Sequence, residues 1–201
     1  MIATIVYFIL RYLALILSKI FFQLEIYGKK NIPKKGGFIL ASNHGSFLDP
    51  IILAAACFRR LNFMAKEELF KNRFFAWLIR NAGAFPLVRN YGDSRAIKEG
   101  IRRLRKGNAL LLFPEGTRSC DGSIKKPLSG VGFLAQKAHI PIIPTYVFGT
   151  NHAWSKGAKF VRSCKIKVYF GKPIFSQGEQ TYDEIAAYVM QQIKHLHATN
   201  T

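Results

Sequence analysis

Residues 2–22 form the most hydrophobic segment of the chain. A helix of this length rises about 1.5 Å per residue and would just cross a roughly 30 Å hydrocarbon core. Polar residues nevertheless recur along it at helical spacing and form a narrow seam: Thr4, Tyr7, Arg11 and Ser18. This seam favours a helix that lies in the membrane interface, or a helix that is half-inserted in the lipid with its seam against protein. A helix that spans the membrane and a buried core helix are disfavoured. A cleaved signal peptide is disfavoured, because no basic region precedes the apolar run and no small-residue cleavage site follows it.

Beyond residues 28–37, which are rich in Gly, Lys and Pro, short apolar runs alternate with amphipathic ones. The apolar runs predict strands at Phe38–Ser42, near Phe63, and at Ala84–Val88, Ala109–Phe113, Ile142–Phe148 and Lys165–Phe170. The amphipathic runs predict helices at Pro50–Cys57, Phe70–Asn81, Asp93–Lys106, Val131–His139 and Tyr182–His197, the last preceded by a capping box from Thr181 to Glu184. We therefore predict an α/β fold with a mixed, mostly parallel sheet flanked by helices. Residues 1–24 are predicted to be a membrane-associating helix, and residues 25–201 one catalytic domain.

Charge narrows the range of partners. The chain has 30 Lys and Arg against 11 Asp and Glu, a formal net charge of +19. Such an excess predicts an anionic partner, whether nucleic acid, an anionic membrane surface, a phosphorylated substrate or an acidic carrier protein. The cysteines are odd in number and widely spaced (Cys57, Cys120 and Cys164), which predicts a reducing compartment and no structural metal.

A histidine and a carboxylate stand five residues apart where the strand Phe38–Ser42 ends. The segment reads Asn43-His44-Gly45-Ser46-Phe47-Leu48-Asp49-Pro50. An imidazole held by a carboxylate is a general base that can take a proton from an alcohol as it attacks a thioester. The alternative is that Asp49 only caps a helix whose first residue is Pro50, and that His44 is a polar loop residue.

A second constellation follows the apolar strand that ends at Phe113. It reads Phe113-Pro114-Glu115-Gly116-Thr117-Arg118-Ser119. Gly116 allows close approach of an anion, Thr117 and Ser119 offer hydroxyls, and the planar fork of Arg118 matches two phosphate oxygens. The alternative is a plain turn in which Glu115 pairs with a solvated Arg118.

Two further segments are weak when taken alone. Residues 83–89, Gly-Ala-Phe-Pro-Leu-Val-Arg, are an extended run that ends in Arg89, and residues 141–144, Pro-Ile-Ile-Pro, lead into a strand. By themselves they predict an ordinary strand and, at most, one wall of a pocket.

Together and in order, these four segments resemble the conserved blocks of the glycerolipid acyltransferase family, and in particular the bacterial 1-acyl-sn-glycerol-3-phosphate acyltransferases. The resemblance spans roughly residues 25–175, and the blocks at 43–49 and 113–119 are the specific ones. One departure is residues 125–132, Lys-Lys-Pro-Leu-Ser-Gly-Val-Gly, where many relatives carry a basic-aromatic stretch leading into lysine-glycine. No role is therefore carried over to Lys125 or Lys126.

The resemblance implies an acyltransferase in which His44 is the general base and Asp49 its partner. It further implies a site for the substrate phosphate made of Arg89, Glu115, Gly116, Thr117 and Arg118. The expected donor is acyl-CoA or acyl carrier protein, with no bound cofactor or metal. The expected reaction moves the acyl group to the sn-2 hydroxyl of lysophosphatidic acid, at the cytoplasmic face of the cell membrane.

Several alternatives remain open at this stage. The acceptor could instead be glycerol-3-phosphate, another lysophospholipid or a lyso-aminolipid. The enzyme could also be a hydrolase, in which water takes the place of the acceptor alcohol. A nucleic-acid-binding module would use the basic run Arg102-Arg103-Leu104-Arg105-Lys106, but it would leave the apolar N-terminus unexplained. Anionic headgroups or an acidic carrier protein are better uses of that run.

Overall fold

The apolar runs form one sheet in the computed structural model, which describes residues 2–88, 94–119, 124–155, 157–176 and 178–200. In these residues the strands are β1 (Glu25–Tyr27), β2 (Phe38–Ser42), β3 (Leu61–Lys66), β4 (Ala84–Leu87), β5 (Ala109–Leu112), β6 (Ile142–Phe148) and β7 (Lys167–Phe170). Their order is β1-β7-β6-β2-β5-β3-β4, and the neighbours run parallel except for β6 and β7. The predicted mixed, mostly parallel sheet is confirmed.

The helices of the described residues are α1 (Ile2–Phe22), α2 (Asp49–Ala56), α3 (Arg73–Asn81), α4 (Ser94–Arg105), α5 (Gly130–Ala138), α6 (Thr150–Ala153) and α7 (Tyr182–Asn200). The helix predicted from Phe70 begins later, at Arg73, because Glu67–Phe70 form a 3₁₀ turn and the Asn72 side chain accepts the backbone N–H of Phe75 at 2.9 Å. The predicted start of α4 at Asp93 lies outside the described residues. The capping box before α7 is present, since Thr181 and Glu184 accept each other's backbone N–H groups.

Alternate residues of each strand point to opposite faces of the sheet. In β2, Phe38 and Leu40 enter one apolar core, whereas Ile39 and Ala41 enter the other. The first core is covered by α1 and α2, and we call this side the α1 face. The second is covered by α4, α5 and α7, and we call it the α4 face. Because helices cover both faces, the central strands are apolar throughout.

The polar seam of α1 is turned toward the protein. Tyr7 is 2% exposed, and its hydroxyl accepts the backbone N–H of Leu61 at 3.0 Å. Arg11 Nε donates to the carbonyl of Cys57 at 2.7 Å, and Ser18 is buried as well. The opposite side of the helix is apolar and exposed at Ile5, Ile9, Leu13, Ile16 and Ile20. Thus α1 lies along the α1 face, as in the arrangement predicted with the seam against protein.

Three central parallel strands bring two of the sequence blocks together. β2 lies between β5 and β6, with Ala41 opposite Leu112 and Ser42 opposite Thr145. Parallel neighbours end at the same edge of the sheet, and ligands of open α/β sheets bind at this carboxyl edge. The loops after β2 and β5 therefore meet there.

Candidate active site

His44 and Asp49 are in direct contact at the carboxyl edge. His44 Nδ1 lies 2.8 Å from Asp49 Oδ2, and the same oxygen accepts the backbone N–H groups of Gly45 and Ser46, each at 2.8 Å. Because Oδ2 acts as an acceptor toward two backbone N–H groups, the matching role for Nδ1 of His44 is that of a donor. That tautomer leaves Nε2 of His44 with a free lone pair, as a general base requires.

The Asp49 carboxylate does not cap a helix that starts at Pro50. The helix α2 begins at Asp49 itself, and no side chain bonds to its first turn from the capping position at Leu48. Instead, Asp49 is fully buried and its carboxylate turns back into the loop that carries His44. The capping interpretation is therefore wrong, and Pro50 occupies the second helical position.

The backbone of His44 is clamped by the loop after β5. His44 N–H donates to Glu115 Oε1 at 2.9 Å, and the carbonyl of His44 accepts from Ser119 N–H at 2.8 Å. Ser119 is buried at this contact. The two specific sequence blocks thus form one structural unit around the histidine.

Two further residues orient His44, and neither was assigned a role from the sequence. The His44 ring stacks on Phe113, with centroids 3.8 Å apart and planes 15° apart. Asn43 exchanges two hydrogen bonds with the backbone of Val147, donating to its carbonyl at 3.0 Å and accepting its N–H at 2.8 Å. The amide of Asn43 therefore extends the pairing of β2 with β6. Its position directly before His44 was the only sequence signal.

The turn Glu115–Arg118 presents its central residues to solvent. Gly116 has a positive φ of 66°, a conformation that glycine adopts without strain, and both Gly116 and Thr117 are exposed. Arg118 is half-buried, and its guanidinium carbon lies 3.5 Å from the centre of the Phe47 ring. This is the geometry of a cation–π contact. Three of the residues predicted to bind phosphate are therefore together beside His44.

Glu115 does not fit the role of a phosphate ligand. It is buried, and its second oxygen accepts the backbone N–H of Lys125 at 3.1 Å, so both oxygens hold loop backbone. Burial raises the pKa of this carboxyl above its usual range, although the N–H groups of Lys125 and His44 act in the opposite direction. A carboxylate so placed would repel a phosphate and does not pair with Arg118. Its geometry is that of a brace between loops.

The remaining predicted residues are placed as follows. Arg89 lies outside the described residues. Residues 84–87 form strand β4 at the edge of the sheet, as the extended run predicted. The Pro-Ile-Ile-Pro segment lies within and before β6, but Tyr146 and Val147 of that strand line the small pocket beside His44, whose volume is about 30 Å³. A cavity of that size holds water rather than substrate.

Buried thiols play no part in this arrangement. Cys57 is buried in the α1-face core, and burial raises its pKa to about 11, so it is present as the thiol. Cys120 lies outside the described residues. Within the described residues, no group of three or more His, Cys, Asp or Glu side chains could hold a metal ion.

Comparison with known proteins identifies proteins that are similar to this chain. The pattern of the family described as Acyltransferase matches residues 23–148. The chain is 30% identical over 152 residues to the 1-acyl-sn-glycerol-3-phosphate acyltransferase of Bacillus subtilis, covering 75% of this chain and 73% of that protein. It is 36% identical over 140 residues to the protein of the same name from Streptococcus pneumoniae, covering 68% of this chain and 50% of that protein.

A solved structure agrees with these relationships. The chain superposes on the 1-acyl-sn-glycerophosphate (LPA) acyltransferase PlsC from Thermotoga maritima with a TM-score of 0.77 and 26% sequence identity. The match covers 95% of this chain and 82% of that one. The matched range, residues 23–148, includes His44 and the turn 115–118, and the fold agrees over nearly the whole chain. The chain therefore belongs to the acyltransferase family.

Proposed function

We propose that this enzyme transfers a fatty acyl group from a thioester donor to the sn-2 hydroxyl of lysophosphatidic acid, giving phosphatidic acid. The observation that carries the proposal is the hydrogen bond between His44 Nδ1 and Asp49 Oδ2, set beside Arg118 at the carboxyl edge. The names of the relatives in Bacillus subtilis and Streptococcus pneumoniae support the choice of acceptor.

His44 acts as the general base. Its Nε2 takes the proton of the acceptor hydroxyl while the oxygen attacks the thioester carbonyl carbon, and a C–O bond forms. The tetrahedral intermediate collapses, the C–S bond breaks, and the departing thiolate receives the proton from the imidazolium. Asp49 holds the ring and stabilises its charged form, as the carboxylate does in a Ser-His-Asp triad.

The acceptor phosphate binds to Gly116, Thr117 and Arg118, with Arg89 as a second positive group. The Thr117 hydroxyl and the Arg118 guanidinium are donors that phosphate oxygens accept. Gly116 has no side chain to obstruct the anion, while its own N–H donates to the carbonyl of Phe113 at 3.0 Å. Glu115 is reassigned from a ligand to a brace of the His44 loop. The donor is acyl-CoA or acyl carrier protein, either of which supplies a good leaving thiolate.

Membrane association follows from α1, and we place the enzyme on the cytoplasmic side of the cell membrane. From Thr4 to Phe22 this helix is long and apolar enough to cross a bilayer, and only 11% of it is buried in the protein. Its polar seam, however, is occupied by contacts with the domain from Tyr7 to Ser18. A helix that packs along its length on a water-exposed domain is expected to lie in the membrane interface, with its apolar side in the lipid.

The test is a panel of acceptors given with one acyl thioester. The acceptors are lysophosphatidic acid, glycerol-3-phosphate, lysophosphatidylglycerol and a monoacylglycerol. The products are separated and identified by mass spectrometry. We expect phosphatidic acid from lysophosphatidic acid and little product from the monoacylglycerol. Free fatty acid released without dependence on acceptor would make the enzyme a hydrolase and overturn the proposal.

A further inference from the structure

A short loop between α6 and β7 exposes two adjacent apolar side chains. Phe160 is 79% exposed and Val161 is 49% exposed, and the flanking Lys159 and Arg162 are exposed as well. We call these four residues the 159–162 loop. Single apolar residues on a protein surface are common, so the surroundings of these two decide whether they have a function.

Hydrogen bonds hold the backbone on both sides of Phe160. The indole N–H of Trp154 donates to the carbonyl of Ala158 at 3.0 Å, and the backbone N–H of Arg162 donates to the carbonyl of Ala153 at 2.8 Å. The apolar side chains are therefore presented to the outside by a loop with a defined conformation.

The 159–162 loop adjoins the end of α1. Directly after the loop, Ser163 Oγ donates to the carbonyl of Phe21. Phe21 and its neighbour Ile20 are both exposed and belong to the last turn of α1. The apolar side of the helix therefore continues into the loop, and a lipid surface that receives this end of α1 lies beside Phe160.

The same loop lies at the carboxyl edge of the sheet, where His44 is. β6 ends at Phe148 and β7 starts at Lys167, and these two residues are opposite each other in the sheet. β1 starts at this edge too, since Glu25 pairs with Lys167. The end of α1, the 159–162 loop and the His44 loop therefore share one edge.

Trp154 connects the 159–162 loop to the candidate active site. Ser46 Oγ donates to the carbonyl of Trp154 at 2.7 Å, and the Trp154 indole contacts the Phe47 ring, with centroids 5.2 Å apart. Phe47 in turn contacts Arg118 of the proposed phosphate site. The loop is thus fixed to the end of α1 on one side and to the acceptor side of the active site on the other.

We propose that the 159–162 loop is a second membrane-binding element, separate from α1. Its two apolar side chains enter the lipid, and its two basic side chains contact anionic headgroups. Exposed apolar residues flanked by Lys and Arg have the composition that binds the interface of an anionic bilayer. The continuity of the loop with the apolar side of α1 selects a lipid surface as the partner.

This contact has a consequence for the acceptor. Lipid at the 159–162 loop holds the carboxyl edge against the headgroup layer, so lysophosphatidic acid reaches His44 without leaving the interface. The supply of acceptor rests on the proposed function, whereas the contact of the loop with lipid does not.

The first experiment places a fluorophore in the loop. Phe160→Trp is bound to vesicles of phosphatidylglycerol and phosphatidylcholine whose acyl chains are brominated, and bromine quenches a tryptophan that enters the bilayer. The matched control is Phe175→Trp, because Phe175 is 70% exposed and follows Ile174, which pairs with Ile142 at the opposite edge of the sheet. After subtraction of the wild-type fluorescence, the signal of Phe160→Trp should fall by about half or more, and that of the control should stay nearly unchanged.

The second experiment measures the effect on turnover with Phe160→Ser. The change is at an exposed position, and an unaltered melting temperature checks the fold. With lysophosphatidic acid presented in vesicles, the apparent KM for the acceptor should rise about tenfold, since removal of a Phe side chain from lipid changes partitioning by that factor or more. With a short-chain lysophosphatidic acid that is monomeric in water, the KM should stay within about twofold of the wild type. Phe175→Ser should leave both values unchanged.

Other outcomes overturn the inference in distinguishable ways. An unquenched Phe160→Trp on vesicles that bind the protein would exclude the loop from the membrane and leave the proposed function in place. Equal quenching of Phe175→Trp would remove the preference for the carboxyl edge. An equal rise in KM for the monomeric acceptor would mean that Phe160 acts on the site itself.

Two further results separate the remaining explanations. A change from dimer to monomer in Phe160→Ser, without quenching of Phe160→Trp, would assign the loop to contact between copies of the chain. Absence of transfer to either acceptor by the wild type would exclude the proposed function, and quenching alone would then decide whether the loop contacts lipid.

Discussion

Arg118 lies over the ring of Phe47, with 3.5 Å between its guanidinium carbon and the ring centroid. The two residues belong to different blocks of the sequence, and the contact joins the His44 loop to the turn 115–118, the proposed phosphate site. Phe47 is half exposed and also meets Trp154, with ring centroids 5.2 Å apart. The aromatic ring therefore helps to set the position of the guanidinium, whose Nη1 is buried.

Replacing Phe47 should weaken acceptor binding. Phe47→Leu removes the cation–π contact, worth about 0.5–2 kcal/mol, so the KM for lysophosphatidic acid should rise about 2- to 30-fold. The kcat should change little, because His44 and Asp49 are untouched. Steady-state kinetics check this, with a monoacylglycerol as the acceptor without phosphate. An equal rise in KM for the neutral acceptor would show that Phe47 contacts the acyl chain instead.

His44 and Asp49 should behave as one unit. His44→Ala and Asp49→Asn should each lower kcat by roughly 10²–10⁴-fold, and the double variant should be no slower than the worse single variant. Melting temperatures should show that all three are folded. His195→Ala on the exposed side of α7 serves as the control. Additive losses in the double variant would mean that the two residues work separately.

Glu115→Gln distinguishes a brace from a ligand. Glutamine has one acceptor oxygen, so either His44 N–H or Lys125 N–H loses its acceptor and the His44 loop shifts. We expect kcat to fall about 10- to 100-fold, with the acceptor KM within about twofold of the wild type. A raised KM at constant kcat would return Glu115 to the phosphate site.

The same substitution should change the pH dependence of stability. Burial raises the pKa of Glu115, so the folded state holds this proton more tightly than the unfolded chain. The stabilisation linked to that proton is fully present below the unfolded pKa and is lost as the pH rises through the folded one. Relative to the wild type, Glu115→Gln should therefore gain stability between pH 4 and pH 8. Urea unfolding at the two pH values measures the free energy of unfolding of the wild type and of the variant. A difference between the two proteins that is the same at both pH values would contradict the prediction.

Tyr7 should anchor α1 to the domain. Tyr7→Phe leaves the buried N–H of Leu61 without its acceptor, which costs about 1–3 kcal/mol. Unfolding in mild detergent should show this loss. Tyr12→Phe is the matched control, because Tyr12 is 56% exposed on the outer side of α1. Equal effects of the two changes would mean that α1 does not dock through its seam.

Much of the fold could be predicted because it depends on local patterns. The apolar run at residues 109–113 has the uniformly apolar composition of a strand that is covered on both faces, and the amphipathic run at residues 182–197 shows the period of a helix. β1 was not predicted, since three residues are too few to show a period. The division of the chain at residue 24 stays a prediction.

The sequence by itself indicated an acyltransferase, because four blocks, among them residues 43–49 and 113–119, occur in the order in which that family carries them. Only the tertiary structure decided which groups His44, Asp49 and the turn 115–118 contact. His44 N–H and Glu115 Oε1 are 71 residues apart in the chain, and no local pattern shows which loop lies against another. The same holds for the Phe47–Arg118 contact and for the docked seam of α1. These depend on long-range packing of the sheet and its helices, which places distant residues within hydrogen-bonding distance.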